Sequence, residues 1–338
     1  MIFLFVFILV FLVSWLAVGA FCKFSGHWNM LDVPNDRSSH ETPTPVGAGV
    51  VFVSLSLLIA TAFELYFYGT LRLWPFYAGG TAIAIVSWVD DRRPLSPFFR
   101  ILIHVAAAAV CVWNFVGFST VPSTISPWIY TFLLILSVLW VVWITNAFNF
   151  MDGIDGIAGL QGIVGLGVWG FLGYQFGAID VWVVSVVSIA GVAGFLVHNW
   201  PPARVFMGDV GSAFLGFTFG VLPLISLSRF AREGEIWIPY IAVGAVWPFV
   251  ADSVLTFLRR LISLERVWEP HRTHIYQVLV KQGSEHLTVT IIYGSLALVS
   301  GIITIVASIG SSPAIAVIGF VIVATLVTFL PRIARRLT

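Results

Sequence analysis

Four polar residues recur at a spacing of three in the segment TNAFNFMDGIDG, at positions 145–156. They are Asn146, Asn149, Asp152 and Asp155. Residues three apart are neighbours on a helix surface, so the four would form a polar ridge about three turns long. The ridge begins inside an apolar run, where acids are costly and usually functional. We expect a cation and nucleotide site here, and a structural polar seam between helices is the alternative.

Four further acids occur in contexts that suit the same chemistry. Asp90 and Asp91 are adjacent in VDDRRPLSP, Asp209 lies between glycines in RVFMGDVGS, and Asp252 lies deep in an apolar run. Mg²⁺ prefers oxygen ligands and commonly bridges carboxylates to substrate phosphates. Each position also has a plain alternative: a salt-bridged helix end for the pair, a helix cap for Asp209, and a structural pair for Asp252.

The loop segment HRTH supplies positive charge near these acids. It contains His271, Arg272 and His274. Two histidines could bind zinc, but no cysteine or third convincing ligand stands nearby. Two histidines flanking an arginine better suit an oxyanion such as a diphosphate. A simple charged loop is the alternative. Carboxylates for a cation and cationic groups for phosphates together indicate phosphoryl transfer.

The composition determines where this chemistry takes place. Of the 338 residues, 59% are hydrophobic and only 10% are charged, and the mean hydropathy is +0.99. A soluble protein of this size cannot bury so much apolar surface. We therefore predict an all-α, polytopic integral membrane protein with about ten or eleven transmembrane helices. The eleven candidate spans are approximately 2–22, 47–68, 74–89, 98–118, 127–146, 157–176, 181–198, 210–228, 237–258, 287–309 and 313–330.

Basic residues predict the orientation. They gather in one set of alternate connections, whereas the other set holds only Arg72, Arg229 and Arg232. The positive-inside rule places the first set in the cytoplasm, with the amino terminus in the periplasm. All the polar motifs above then fall on the cytoplasmic side. The net charge of +1 indicates no nucleic-acid partner.

The motifs, in this order, resemble those of the polyprenyl-phosphate N-acetylhexosamine-1-phosphate transferases, a family of membrane glycosyltransferases. The resemblance rests on LDVPNDRSSHETPTPVGAG, VDDRRPLSPFFR, NAFNFMDGIDGIAG, HNWPPARVFMGDVGS, PFVADSVLTFLRR and HRTHIYQ. It implies a UDP-N-acetylamino sugar as donor, undecaprenyl phosphate as acceptor and Mg²⁺ as cofactor, with Mn²⁺ as a possible substitute. The acceptor phosphate attacks the β-phosphorus of the donor and UMP leaves. The resemblance also implies a single transmembrane domain over 1–338 in the bacterial inner membrane.

The resemblance also implies roles for individual residues. Asp209 and Asn149 would hold the metal. The implied catalytic residues are Asp90, Asp91, Asp152, Asp155, Asp209, His271 and His274. The implied substrate-binding residues are Asn146, Asn149, Asp155, Asn199, Phe206, Arg100, Asp252, His271, Arg272, His274 and His40, with Asn199 and Phe206 against uridine.

The donor sugar and two other functions stay open on the sequence. HRTHIYQ differs from the three consecutive histidines of the peptidoglycan enzymes, so a muramoyl-pentapeptide donor is disfavoured. It is similar to O-antigen-initiating enzymes that use N-acetylfucosamine, N-acetylquinovosamine or N-acetylglucosamine donors. A cation-coupled transporter would need polar residues near the bilayer midplane. A Mg²⁺-dependent prenyltransferase would leave the HRTH loop without a role. A homodimer is possible.

Overall fold

The computed structural model describes residues 1–28, 30–33, 42–117, 126–230, 237–266 and 272–337. Within these ranges the chain is helical apart from turns, a 3₁₀ helix at Ser25–Trp28 and one short antiparallel ribbon. The ribbon pairs β1 (Leu31–Asp32) with β2 (Thr44–Pro45). The helices are α1 (Ile2–Phe24), α2 (Gly49–Tyr68), α3 (Trp74–Arg92), α4 (Pro97–Phe115), α5 (Pro127–Phe150), α6 (Ile157–Gln175), α7 (Ile179–Asn199), α8 (Gly208–Leu227), α9 (Ile238–Gly244), α10 (Trp247–Ile262), α11 (Ile275–Lys281), α12 (His286–Ile309) and α13 (Pro313–Leu337).

The helices have the length and composition of a multi-pass membrane protein. In the described ranges, 9 are long and apolar enough to cross a bilayer, and α9 with α10 would make a tenth span. The remaining long helix, α3, has 19 residues and ends in Asp90, Asp91 and Arg92, which lower its hydropathy. Its length of about 28 Å still matches a hydrocarbon core. The predicted all-α, polytopic fold is confirmed.

The predicted ninth span, 237–258, is not one straight helix. It divides into α9 and α10, whose axes differ by 76°. Pro248 is the second residue of α10. It has no N–H to bond to the carbonyl of Gly244, four residues earlier, and its ring would clash with that carbonyl. The continuous helix predicted from hydropathy is therefore wrong at this point.

Helix α8 is the central element of the bundle. Its side chains from Val210 to Ser226 are all buried. It packs so closely on α5 that a Cβ added at Gly216 would lie only 2.7 Å from the Cα of Thr145. The small residues of α8 therefore allow backbone contact between the two helices. This contact places the end of α5 beside the beginning of α8, where the polar residues lie.

Candidate active site

Acidic side chains converge where α3 ends and α8 begins. The Nη1 atom of Arg100 lies 2.5 Å from Oδ2 of Asp90 and 3.1 Å from Oδ2 of Asp209. The other oxygen of Asp90 accepts a hydrogen bond from the backbone N–H of Leu95 at 2.6 Å. One guanidinium thus bridges two carboxylates that are 119 positions apart in the sequence. The site is complementary to positive charge.

Asp91 fixes the beginning of α8. Its carboxylate accepts hydrogen bonds from the N–H groups of Asp209 at 2.9 Å and Val210 at 3.2 Å. The close approach of the Asp91 carboxylate to this end of α8 needs glycine at position 208. There φ is +73°, and a Cβ would lie 2.5 Å from Oδ2 of Asp91. A negative charge at a helix amino terminus is also favoured by the helix dipole. Asp91 therefore orients the turn that carries Asp209.

The polar ridge of α5 is shorter than the sequence predicts. Helix α5 ends at Phe150, so Asp152 and Asp155 lie in the turn that follows. The prediction of three helical turns is wrong because two glycines redirect the chain. A Cβ at Gly153 would lie 2.1 Å from the hydroxyl of Tyr276, and Gly156 has φ of +76°.

The two asparagines of the ridge face different neighbours. Asn149 donates a hydrogen bond to Oγ of Ser212 at 3.0 Å and also contacts the carboxylate of Asp209. Asn146 donates to the carbonyl of Val142 at 2.7 Å and lies 3.3 Å from Nδ1 of His104. Only Asn149 therefore belongs to the carboxylate cluster.

The two acids after α5 differ in their surroundings. Burial, together with the nearby carboxylates of Asp209, Asp91 and Asp155, raises the pKa of Asp152 to about 8. Asp155 is held by protein groups, because Oδ2 accepts from the N–H of Ala203 at 3.0 Å and Oδ1 lies 3.3 Å from Nδ1 of His286. Asp152 is thus part of the charge cluster, while Asp155 also ties two other segments together.

The two residues expected to face uridine lie at the end of α7 and in the segment that leads to α8. Asn199 is buried, accepts from the N–H of Gly156 at 3.0 Å and donates to the carbonyl of Val205 at 2.8 Å. The backbone of Phe206 bonds to Pro45 of β2 at 2.7 Å, and its ring is half-buried. Asn199 therefore braces this segment from inside.

Asp252 lies behind His274 in a fully buried network. Oδ1 of Asp252 lies 3.1 Å from Nδ1 of His274 and accepts from the N–H of Ile275 at 2.9 Å. Oδ2 accepts from the N–H of Tyr276 at 3.1 Å and from the hydroxyl of Tyr293 at 2.5 Å. These bonds place Asp252 as an anchor for the start of α11, which holds His274 in position.

The remaining predicted site residues are only partly described. Arg272 is half-buried, and its carbonyl accepts from Nζ of Lys281 at 2.8 Å. His40 and His271 lie outside the described residues. The sequence reasoning missed Tyr293, which holds Asp252 from the middle of an apolar helix. No local pattern marks that tyrosine as part of a site.

The donor set fits a hard divalent cation. In the described part of the chain, no three His, Cys, Asp or Glu side chains stand together as an enclosing metal site. Mg²⁺ does not need one, since it usually binds through one or two carboxylates and completes its shell with water and substrate phosphates. The side chains of Asp209 and Asn149 lie in contact, and a carboxylate and an amide both carry oxygens of the kind that Mg²⁺ prefers. They can hold such an ion together with a phosphorylated ligand.

This fold and site define a class: a multi-pass membrane protein with a carboxylate-rich, phosphate-compatible centre at one end of its helix bundle. Residues 73–227 match the model of glycosyl transferase family 4. The match spans α3 to α8, which include the acidic cluster. This part of the chain is therefore similar to glycosyl transferase family 4, and the relatives below carry the names of polyprenyl-phosphate sugar-phosphate transferases.

Three curated relatives show which proteins the chain is similar to. Over 101 residues the chain is 35% identical to a probable undecaprenyl-phosphate N-acetylglucosaminyl 1-phosphate transferase of Bacillus subtilis, covering 30% of this chain and 27% of the relative. Over 156 residues it is 31% identical to a decaprenyl-phosphate N-acetylglucosaminephosphotransferase of Mycobacterium tuberculosis, covering 42% and 38%. Over 221 residues it is 28% identical to a phospho-N-acetylmuramoyl-pentapeptide-transferase of Nostoc punctiforme, covering 60% of each chain. The matched segments thus span less than two thirds of each relative.

Proposed function

We propose that the protein transfers an N-acetylamino-sugar 1-phosphate from a UDP-sugar to undecaprenyl phosphate and releases UMP. The observation that carries this proposal is the cluster in which Arg100 bridges Asp90 and Asp209. Its carboxylates suit a cation, and its guanidinium suits phosphate oxygens. It lies at the ends of apolar helices, where a soluble donor and a lipid acceptor can meet. The activities named for the relatives support the same reaction class.

The reaction exchanges one phosphoanhydride for another. An oxygen of the acceptor phosphate forms a bond to the β-phosphorus of the donor. The bond from that phosphorus to the bridging oxygen breaks, and UMP leaves with the electron pair. Lipid-diphosphate sugar is the other product. No oxidant or reductant is needed, and catalysis consists mostly of positioning and charge neutralisation.

The residues of the site divide this work. Mg²⁺, held by Asp209 and Asn149, would neutralise charge on the donor diphosphate. Arg272 and His274 would hold phosphate oxygens, and the contact with Asp252 would keep His274 oriented. No general base is required, because a phosphate monoester with a second pKa near 6 is already largely dianionic at neutral pH.

The finer features of the function are also proposals. We propose N-acetylfucosamine, N-acetylquinovosamine or N-acetylglucosamine as the donor sugar, in a reaction that starts O-antigen or a related glycan. The HRTHIYQ segment supports a donor smaller than a muramoyl pentapeptide. We place the protein in the bacterial inner membrane with its site at the cytoplasmic face, on the distribution of basic residues.

The test uses UDP-N-acetylamino sugars that carry ³²P in the β-phosphate. Purified protein in detergent is given undecaprenyl phosphate and Mg²⁺. We expect the label to enter the lipid, with UMP released in a one-to-one ratio. Plain sugar transfer would instead leave the label in released UDP, which would refute the proposed mechanism. A panel of donors in the same assay identifies the sugar, and Asp209→Asn serves as the inactive control.

A further inference from the structure

The beginning of α12 contacts one acid of the site, Asp155, at two points. Oγ1 of Thr290 donates a hydrogen bond to the carbonyl of Asp155 at 2.7 Å, and Nδ1 of His286 lies 3.3 Å from its Oδ1. Positions 286 and 290 share one face of the helix because they are four residues apart. Oδ2 of Asp155 accepts from the N–H of Ala203 at 3.0 Å. Asp155 is therefore held at its backbone and at both carboxylate oxygens.

Helix formation does not explain a histidine at position 286. His286 is the first residue of α12, where the helix dipole favours negative charge and disfavours positive charge. Its side chain is largely buried, with 18% exposed. An ionised carboxylate only accepts hydrogen bonds, so the approach of Asp155 is favourable when Nδ1 of His286 carries a hydrogen. His286 therefore serves the carboxylate of Asp155 rather than the helix.

The surroundings of Asp155 suit a planar base. The carboxylate offers about four acceptor positions, so it can bind protein groups and a ligand donor together, and 14% of the side chain is exposed. Ala203, which Asp155 holds, lies three residues before Phe206, whose ring is half-buried. Every nucleobase has a face that can stack on an aromatic ring. An aromatic ring and a fixed acceptor are thus joined to the same segment.

We propose that His286 is a positioning residue that makes the site select uracil at the nucleotide end of the donor. This inference rests on the proposed function and adds a determinant of donor specificity to it. His286 and Thr290 hold Asp155 so that its carboxylate meets the ring N–H of uracil. Cytosine has a lone pair on the equivalent ring nitrogen, which a carboxylate repels. His286 acts through Asp155 and takes no part in bond breaking.

The direct test compares UMP with CMP, which share ribose and phosphate and differ in the base. Each is titrated into purified protein in detergent with Mg²⁺ and no acceptor, and binding is followed by calorimetry. The wild-type protein should prefer UMP by roughly 10- to 100-fold, because CMP leaves the carboxylate without a donor. His286→Ala should weaken UMP binding roughly 10-fold and leave CMP binding nearly unchanged. His286→Asn should restore most of the preference, since its amide nitrogen can take the place of Nδ1.

Matched controls lie in the same part of the helix. Glu285→Ala removes a neighbouring charge that makes no capping bond, and Thr288→Val removes an exposed hydroxyl, so neither should change the preference. Thr290→Val removes the hydroxyl that holds the carbonyl of Asp155 and should reduce the preference, which decides the question if His286→Ala does not fold. Equal losses of UMP and CMP affinity in His286→Ala would indicate a merely structural role and overturn the inference. An undiminished preference in His286→Ala, or a loss in His286→Asn as large as in His286→Ala, would also overturn it.

Steady-state kinetics separates this inference from the proposed function. With the ³²P assay, His286→Ala should raise the KM for the UDP-sugar roughly 10-fold and leave kcat and the KM for undecaprenyl phosphate within about twofold, as expected when only binding is weakened. A lower kcat at an unchanged donor KM would overturn the inference while the proposed function stands. UMP-selective binding that depends on His286, in a wild-type protein that transfers no sugar phosphate, would refute the proposed function and leave the role of His286 intact.

Discussion

The buried carboxylate of Asp252 offers the most demanding test of how the site is held together. It accepts hydrogen bonds on Oδ1 from His274, Ile275 and Thr256 and on Oδ2 from Tyr276 and Tyr293. Asp252 itself is 0% exposed. The perturbation is Asp252→Asn, which keeps the shape but removes the charge and one acceptor oxygen.

The expected magnitude follows from this arrangement. In the better orientation the amide oxygen replaces Oδ1, and the amide nitrogen faces Tyr276 and Tyr293. The Tyr293 hydroxyl can rotate to accept, but the N–H of Tyr276 cannot. A buried N–H without a partner costs about 1–3 kcal/mol, and the other bonds lose the strength that the charge gave them. We expect a local loss of about 3 kcal/mol, roughly a hundredfold in a local equilibrium.

The assay is amide hydrogen exchange in detergent, read for α11, together with the transfer rate. In Asp252→Asn, exchange in α11 should speed up by about a hundredfold, and transfer should slow because His274 loses its support. Tyr293→Phe is the control, since it removes one of the five donors and leaves the carboxylate intact. Its effect should be about 1 kcal/mol. Wild-type protection of α11 in Asp252→Asn would refute this account of the network.

Three further predictions concern charge, metal and orientation. Burial raises the pKa of Asp152 from 3.8 to about 8, so in EDTA the folded protein retains a proton that the unfolded chain has released. Stability should therefore fall as pH rises from about 4 to 8, by up to about 1.4 kcal/mol per pH unit for this group, and Asp152→Asn should lessen the pH dependence of the unfolding midpoint. Asp209→Asn should lower the transfer rate at least about 100-fold with normal insertion, and EDTA should abolish wild-type transfer until Mg²⁺ is added; near-normal activity in the variant would exclude Asp209 as an essential ligand. In a cysteine-free background, an impermeant thiol reagent added outside should label Ser119→Cys but not Ser284→Cys, and the reverse pattern would overturn the orientation.

The membrane fold was predictable because bilayer insertion depends on local composition. Each long apolar run satisfies its backbone hydrogen bonds within itself, so its hydropathy is enough to identify a helix. The predicted spans 157–176 and 287–309 correspond to α6 and α12 within one residue at each end. The acidic character of the site was predictable for a similar reason, because acids next to apolar runs are rare without a function.

The positions of the side chains were not predictable in the same way. Hydropathy does not show that Pro248 divides the ninth span, because the residues on both sides of the break remain apolar. Spacing suggested that Asp152 continues the ridge of α5, whereas the contact of Gly153 with Tyr276 shows that the chain turns there. Both features depend on packing between residues far apart in the sequence.

The sequence alone therefore determined the class of the protein, the residue types of its site and its family resemblance, since these follow from composition and ordered motifs. The tertiary structure decided which residues meet. Arg100 reaches Asp209, 109 positions away, and Tyr293 reaches Asp252, 41 positions away. It also decided that Arg260 is buried, whereas its neighbour Arg259 is exposed. Such contacts arise when helices pack in three dimensions, and local sequence carries little information about the partner across an interface.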